Sequence, residues 1–262
     1  EFLTGTTWAP GQAFKASAGR ETDAEAHFGA VPLFAGTFMI SAIAMLVAVP
    51  VGIFSAVYMS EYASTRVRRV AKPMLEILAG IPTVVYGFFA AITVAPMIVQ
   101  AAGAIGVDAA GTNALAPGLI MGVMIIPFMS SLSDDVISAV PQSLRAGALA
   151  LGATQSETIK RVVLPAALPG IVSAFLLSIS RALGETMIVV MAAGQLANLS
   201  INPLEPMTTV TVQIVDLLTG DLEFDSPHTL SAFALALTLL VVTLGLNVVS
   251  LVVIRRFRQR YE

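Results

Sequence analysis

The chain of 262 residues is 56% hydrophobic and 12% charged, with a mean hydropathy of +0.84; soluble domains carry about a quarter charged residues, so this composition excludes an ordinary water-soluble domain. It contains no cysteine, which rules out disulfides and thiolate metal sites. His27 and His228 lie outside the apolar runs without metal-ligand spacing, so neither a metal nor redox chemistry is expected. The net charge of −3 hides an uneven placement of charge along the chain.

In chain order, residues 1–30 form a polar N-terminal segment, followed by five apolar stretches, roughly 31–60, 74–102, 115–140, 166–193 and 230–254. A membrane-spanning helix needs about 20 apolar residues, which each stretch supplies. Barrel strands would alternate in segments of about 10 residues, whereas these runs are longer and rich in Ala, Leu, Ile, Val and Met. The expectation is an all-α polytopic membrane protein, in which helices close their own backbone hydrogen bonds as lipid demands.

Lys and Arg mark cytoplasmic flanks. Arg66, Arg68, Arg69 and Lys72 define one inner loop, Arg145, Lys160 and Arg161 the next, and Arg255, Arg256, Arg258 and Arg260 the inner tail. Outside there are only Lys15 and Arg20, while residues 194–229 carry Glu205, Asp216, Asp221, Glu223 and Asp225 but no Lys or Arg. With that orientation the segment 1–30 is external. It has no basic start followed by an apolar core, so a sixth span upstream is expected, and residues 31–262 read as one transmembrane domain.

Pro50, Pro82, Pro96 and Pro127 fall inside the apolar runs, where each removes a backbone donor. Gly80-Ile81-Pro82, with Tyr86 following, marks a helix break that can line a substrate path; packing around small residues is the alternative. Residues 202–218 read as a short helix or re-entrant segment against the bundle, or as a loop lid. There is no Gly-x4-Gly-Lys-Ser/Thr phosphate loop, so any nucleotide energy must come from another subunit.

The inner loop 141–165 has its own helical grammar. Pro141 opens a helix, residues 142–151 continue it, and Gly152 suits its end. Thr154 and Glu157 form a capping box for a second helix, which is expected to end at Pro165. By itself this is an interfacial hairpin.

The spacing Ala146-Gly147-Ala148-x3-Gly152-x9-Val162-x-Leu164-Pro165 resembles the E-A-A-x3-G-x9-I-x-L-P loop of ABC importer permeases, with Ala146 standing where the motif has Glu. The stretches SLRAGALALGA (143–153), VVLPAALPG (162–170), RALGETM (181–187) and AGIPTVVYGF (79–88) are similar to phosphate permeases of the PstC type, with YMSEYA (58–63) and FGAVP (28–32) in support. The resemblance implies a type I importer bundle in a bacterial inner membrane. It also implies that the loop, including Arg145, couples to a cytoplasmic ATPase. The partners it implies are a PstA-type permease forming a heterodimer, two copies of a PstB-type ATPase that bind ATP and Mg, and an external phosphate-binding protein. This chain would then be a non-catalytic permease subunit without cofactors of its own and without a nucleic-acid partner. A permease for another oxyanion or small solute is the nearest alternative, and an ion-coupled carrier a further one.

Arg181 falls about midway along the apolar run 166–193, with Ser178 one turn before and Glu185 one turn after, expected on a shared face. A charge within the membrane costs roughly 3 kcal/mol on insertion scales. Two readings stand: an anion path or gate, in which the planar Arg181 fork meets phosphate oxygens and Glu185 neutralises it in the anion's absence, or a permanent structural ion pair.

Overall fold

The computed structural model describes residues 2–10, 27–219 and 226–258, with side chains of the last helix as far as Val252. Lys15, Arg20, Asp221, Glu223, Asp225 and the side chains of the tail arginines lie outside the described residues.

A two-residue hairpin pair, β1 (Trp8–Ala9) and β2 (His27–Phe28), precedes the helices. Helix α1 (Val31–Val57) carries Pro50 and ends in a π-helical turn, Tyr58–Tyr62. Ser64 then caps α2 (Thr65–Ala79), its hydroxyl accepting from the Val67 amide at 3.4 Å. Gly80 ends α2, and Pro82, extended at φ −58° and ψ 137°, precedes α3 (Thr83–Phe89). The expected second span of 74–102 is therefore corrected. The turn at Gly80 and the extended backbone of Pro82 separate the two helices, so residues 74–79 belong to the amphipathic α2 and the span is Thr83–Ala104.

Two further π turns stand just before prolines. Ala90–Val94 links α3 to α4 (Ala95–Ala104), with the Ala95 amide donating to the Ala90 carbonyl, and Pro96 follows immediately. After α5 (Leu115–Ser138), α6 (Gln142–Ala150) and α7 (Gln155–Thr158), the turn Ile159–Val163 leads into α8 (Leu164–Leu183). There the Leu164 amide donates to the Ile159 carbonyl and Pro165 follows. A proline ring collides with the carbonyl four residues back. That carbonyl, of Ile92 or of Arg161, sits in each case inside the widened turn, where one extra residue relieves the clash.

Consequently the second helix of the inner loop does not stop at Pro165: residues 155–183 form one helical run, and this run is the fourth span. It ends at Leu183 rather than continuing to residue 193, and α9 (Met187–Ala192) is a separate short helix. Helix α10 (Val210–Leu218), capped by Thr209, is the short helix expected within 202–218, and α11 (Pro227–Arg258) follows. Among the described residues five helical segments are long and apolar enough to cross a membrane: Val31–Tyr62, Thr83–Ala104, Leu115–Ser138, Gln155–Leu183 and Pro227–Val252.

Contacts divide the chain into two compact units. The first comprises residues 1–44, 82–121 and 183–243. Its core joins Ala30, Leu33 of α1, Val210 and Leu217 of α10, and Ala232 and Leu235 of α11, with Trp8 and Phe34 packed against it. Thr37 is buried in this unit and accepts from the Val210 amide at 3.0 Å, tying the start of α10 to α1. The stretch 203–205 is held to the entry of α5 by backbone bonds from Ala110, Ala114 and Leu115. The second unit comprises residues 45–81, 122–182 and 244–262. It is built around Ala56, Met129, Ile137, Val163, Ala167 and Ile171.

Candidate functional site

In the second unit the two caps within residues 141–165 form as the sequence indicates, although the second helix runs on through Pro165. Gly152 adopts φ +87°, a left-handed conformation that glycine reaches without steric cost. The Gly152 amide donates to the Leu149 carbonyl at 3.0 Å and the Ala153 amide to the Ala148 carbonyl at 3.1 Å, the paired bonds of a Schellman end to α6. One residue later the capping box forms: the Glu157 amide donates to Thr154 Oγ1, and Glu157 Oε2 accepts from the Thr154 amide at 2.9 Å. Two opposed caps fix the angle between α6 and α7.

The motif residues divide between two sides. Ala146, Gly147, Leu151 and Gly152 face outward, Leu151 being 91% exposed, so the position where related loops carry Glu offers only a methyl group. Val163 is buried in the unit's core, with Val162 and Leu164 half-buried beside it. Arg145 turns away from the surface. Its Nη2 donates to Glu61 Oε1 at 2.8 Å and to the Ile137 carbonyl at 2.8 Å, its Nε to Glu61 Oε1 at 3.2 Å, and its Nη1 to the Val140 carbonyl.

The charged cluster expected along the fourth span is rearranged. Arg181 lies in the last turn of α8, not midway along a span, because the helix ends two residues later. Its guanidinium sits 5.6 Å from the Phe128 ring centroid, within cation–π range, and among the described residues it forms no ion pair. Ser178 is fully buried and donates to the Ala174 carbonyl at 2.8 Å, so its hydroxyl closes on its own helix. Glu185 caps α9: its Oε1 accepts from the Met187 and Ile188 amides at 3.1 and 3.4 Å, a placement favoured at a helix N-terminus. The shared face of Ser178, Arg181 and Glu185 is therefore not formed. Gly184 and the capping carboxylate break the helical register that the spacing assumed.

Arg181 instead lines a cavity of about 450 Å³ in the second unit, together with Lys72, Glu76, Phe128, Ser131 and Asp135. Lys72 reaches Asp134 Oδ2 at 2.8 Å, and Arg68 holds both Asp134 oxygens at 3.0 and 2.9 Å. Asp134 itself is 0% exposed. Arg181 is thus the cation of this cavity whose charge is not spent on a carboxylate. Sequence reading missed Asp134 and Glu61. The signal was available for Asp134, a carboxylate within an apolar span, which merits the same attention as Arg181.

Of the helix-break residues, Gly80 closes α2 with its amide on the Glu76 and Ile77 carbonyls at 3.0 and 3.1 Å. Tyr86 is buried in the first unit on the short helix that Pro82 opens.

The loop before α10 has its own anchor. Hydrogen bonds from Ser200, Asn198 and Asn202 hold the Glu205 carboxyl below the usual glutamate range. A lowered folded-state value contributes order above the ordinary range, and that order is lost as pH falls through the lowered value. Amide exchange in residues 198–205, corrected for intrinsic rates, is expected to accelerate on acidification, and Glu205→Gln should remove the dependence.

Solved ABC importer permeases share this fold. The chain superposes on a subunit of the inward-facing MetNI methionine ABC transporter with a TM-score of 0.60 at 17% identity, covering 87% of this chain and 94% of that one. A bacterial ABC transporter involved in import of the acidic polysaccharide alginate matches with a TM-score of 0.62 at 18% identity, over 93% and 84%. The family profile of the binding-protein-dependent transport system inner membrane component matches residues 48–262, and the chain belongs to that family. It is 35% identical over 243 residues to the Bacillus subtilis "Probable ABC transporter permease protein YqgH", covering 93% of this chain and 74% of the relative. It is equally 35% identical to the Mycobacterium tuberculosis "Phosphate transport system permease protein PstC 1", over 97% and 81%. It is accordingly a multi-pass permease subunit of an ABC importer in a bacterial inner membrane.

Proposed function

We propose that this chain is the PstC-type subunit of an ATP-driven phosphate importer, forming half of the translocation pathway with a PstA-type partner. The observation that carries the reading is Arg181: a guanidinium without an acidic partner among the described residues, backed by an aromatic ring, on a cavity in the second unit. Its fork matches an oxyanion's geometry, and relatives 35% identical over most of the chain are phosphate permeases by name. In this reading the subunit catalyses no reaction itself. Two copies of a PstB-type ATPase hold ATP and Mg and dock on the outward face of residues 142–153, and an external phosphate-binding protein delivers the substrate.

Phosphate uptake into proteoliposomes containing the full complex tests this, with sulfate and molybdate as competitors. ATP-dependent uptake resisted by neither competitor supports phosphate. Uptake blocked by sulfate at equal concentration would assign the pathway to another oxyanion.

The coupling role of the loop has its own expected result. A Cβ at Gly152 would meet nothing within 4 Å, so the cost of replacement comes from the left-handed backbone, about 1 kcal/mol, and from bulk presented to a docking partner. Gly152→Trp should insert normally but lose most ATPase co-purification and uptake. Normal docking and uptake would show that this loop does not couple.

A further inference from the structure

Arg145 belongs to the stretch that resembles a coupling loop, yet its side chain is only 12% exposed and that of its partner Glu61 only 10%. The pair spans 84 positions of sequence. Glu61 lies in the π turn that ends the first span, so Arg145 ties α6 to a segment to which the loop has no nearby covalent link. By chain connectivity the loop pulls on α5 and on the 155–183 helix; the Glu61 contact adds the 31–62 span. The guanidinium also holds the Ile137 and Val140 carbonyls at the end of α5, and Gln155 at the start of α7 donates to the Glu61 carbonyl at 2.9 Å. All three nitrogens of Arg145 are therefore engaged inside its own unit, while the outward face of the loop presents Leu144 and Leu151. Charge-assisted bonds between side chains this little exposed are short and directional, which suits transmission of movement.

We infer that Glu61 and Arg145 form a strut through which ATPase-driven movement of the inner loop reaches the first span. They are positioning residues for transport, not contacts for the ATPase. The inference rests on the coupling role proposed above for residues 141–165.

The test uses the full complex in proteoliposomes, with phosphate taken up per ATP hydrolysed as the readout and ATPase co-purification as the control. Glu61→Gln keeps an acceptor oxygen but removes the charge, and Arg145→Lys cannot span Glu61 and two carbonyls with one ammonium. Both variants are expected to retain the ATPase and to hydrolyse ATP, while uptake per ATP falls roughly tenfold, the factor for losing one charge-assisted hydrogen bond. An unchanged ratio in either inserted variant overturns the strut. So does loss of the ATPase from both, which would make the pair part of the docking surface, and so does failure of both to insert, which would make it a folding element. Gly152→Trp in the same preparation separates the two readings. If it uncouples while Glu61→Gln does not, only the strut fails; if neither uncouples, the coupling-loop reading fails with it.

Discussion

Replacing Arg181 by alanine is expected to lower ATP-dependent phosphate uptake by about 10- to 100-fold, the range corresponding to loss of a hydrogen bond from a charged donor worth roughly 1.5–3 kcal/mol. The fold should tolerate the change. The guanidinium's described contact is the Phe128 ring at 5.6 Å, an interaction worth about 0.5–1 kcal/mol at an accessible site, so the complex should still assemble. Arg181→Lys keeps the charge but not the planar fork and should fall between the two. The competing reading, a permanent Arg181–Glu185 pair, makes a different forecast: exchanging the charges, with Arg181→Glu and Glu185→Arg together, would restore transport. The geometry argues for no restoration, because Glu185 spends its carboxylate on the Met187 and Ile188 amides and an arginine there would place a cation at a helix N-terminus. Full uptake by the exchanged variant would overturn the anion-path role.

Replacing Asp134 by alanine is expected to lower stability measurably. Its carboxylate is wholly buried and meets Arg68 at 2.9 Å and Lys72 at 2.8 Å. Arg68 and Lys72 are 35% and 37% exposed, so without Asp134 they keep access to water, and the cost is that of a lost charged hydrogen-bond partner, about 1.5–3 kcal/mol. That is a large fraction of the roughly 5–15 kcal/mol that separates folded from unfolded proteins. The thermal midpoint of the purified complex should drop by about 5 °C, with Asp134→Asn losing less because an amide oxygen can still accept from Arg68. An unchanged midpoint for Asp134→Ala would mean that the two cations find solvent or lipid headgroups instead. Asp135, 67% exposed and 3.7 Å from Lys72, serves as the contrasting control, for which Asp135→Ala should have little effect.

Much of the chain was legible because the controlling physics is local. The Thr154–Glu157 capping box and the glycine end at Gly152 each depend on a few neighbouring residues, and both formed as read. The errors arose where a local rule was extended too far. Pro165 was read as a stop, but a π turn upstream let the helix continue. The run 166–193 was read as one span from apolarity alone, although Gly184 ends the helix and Glu185 starts another. A three- or four-residue spacing places side chains on one face only while the helix between them is unbroken, and here it was broken between the two charges.

The sequence by itself determined that this is a helical membrane protein, with basic residues concentrated in alternate loops and one loop bearing importer-permease spacing, because apolar length, charge bias and capping chemistry are written residue by residue. Tertiary structure decided where charges found partners: Asp134 with Arg68 and Lys72 across 66 and 62 positions, Arg145 with Glu61 across 84, and Arg181 with an aromatic face in place of a carboxylate. Burial makes an unpaired charge costly, so each polar group takes whichever partner the packed helices bring near, and that choice belongs to the folded chain and not to any stretch of sequence.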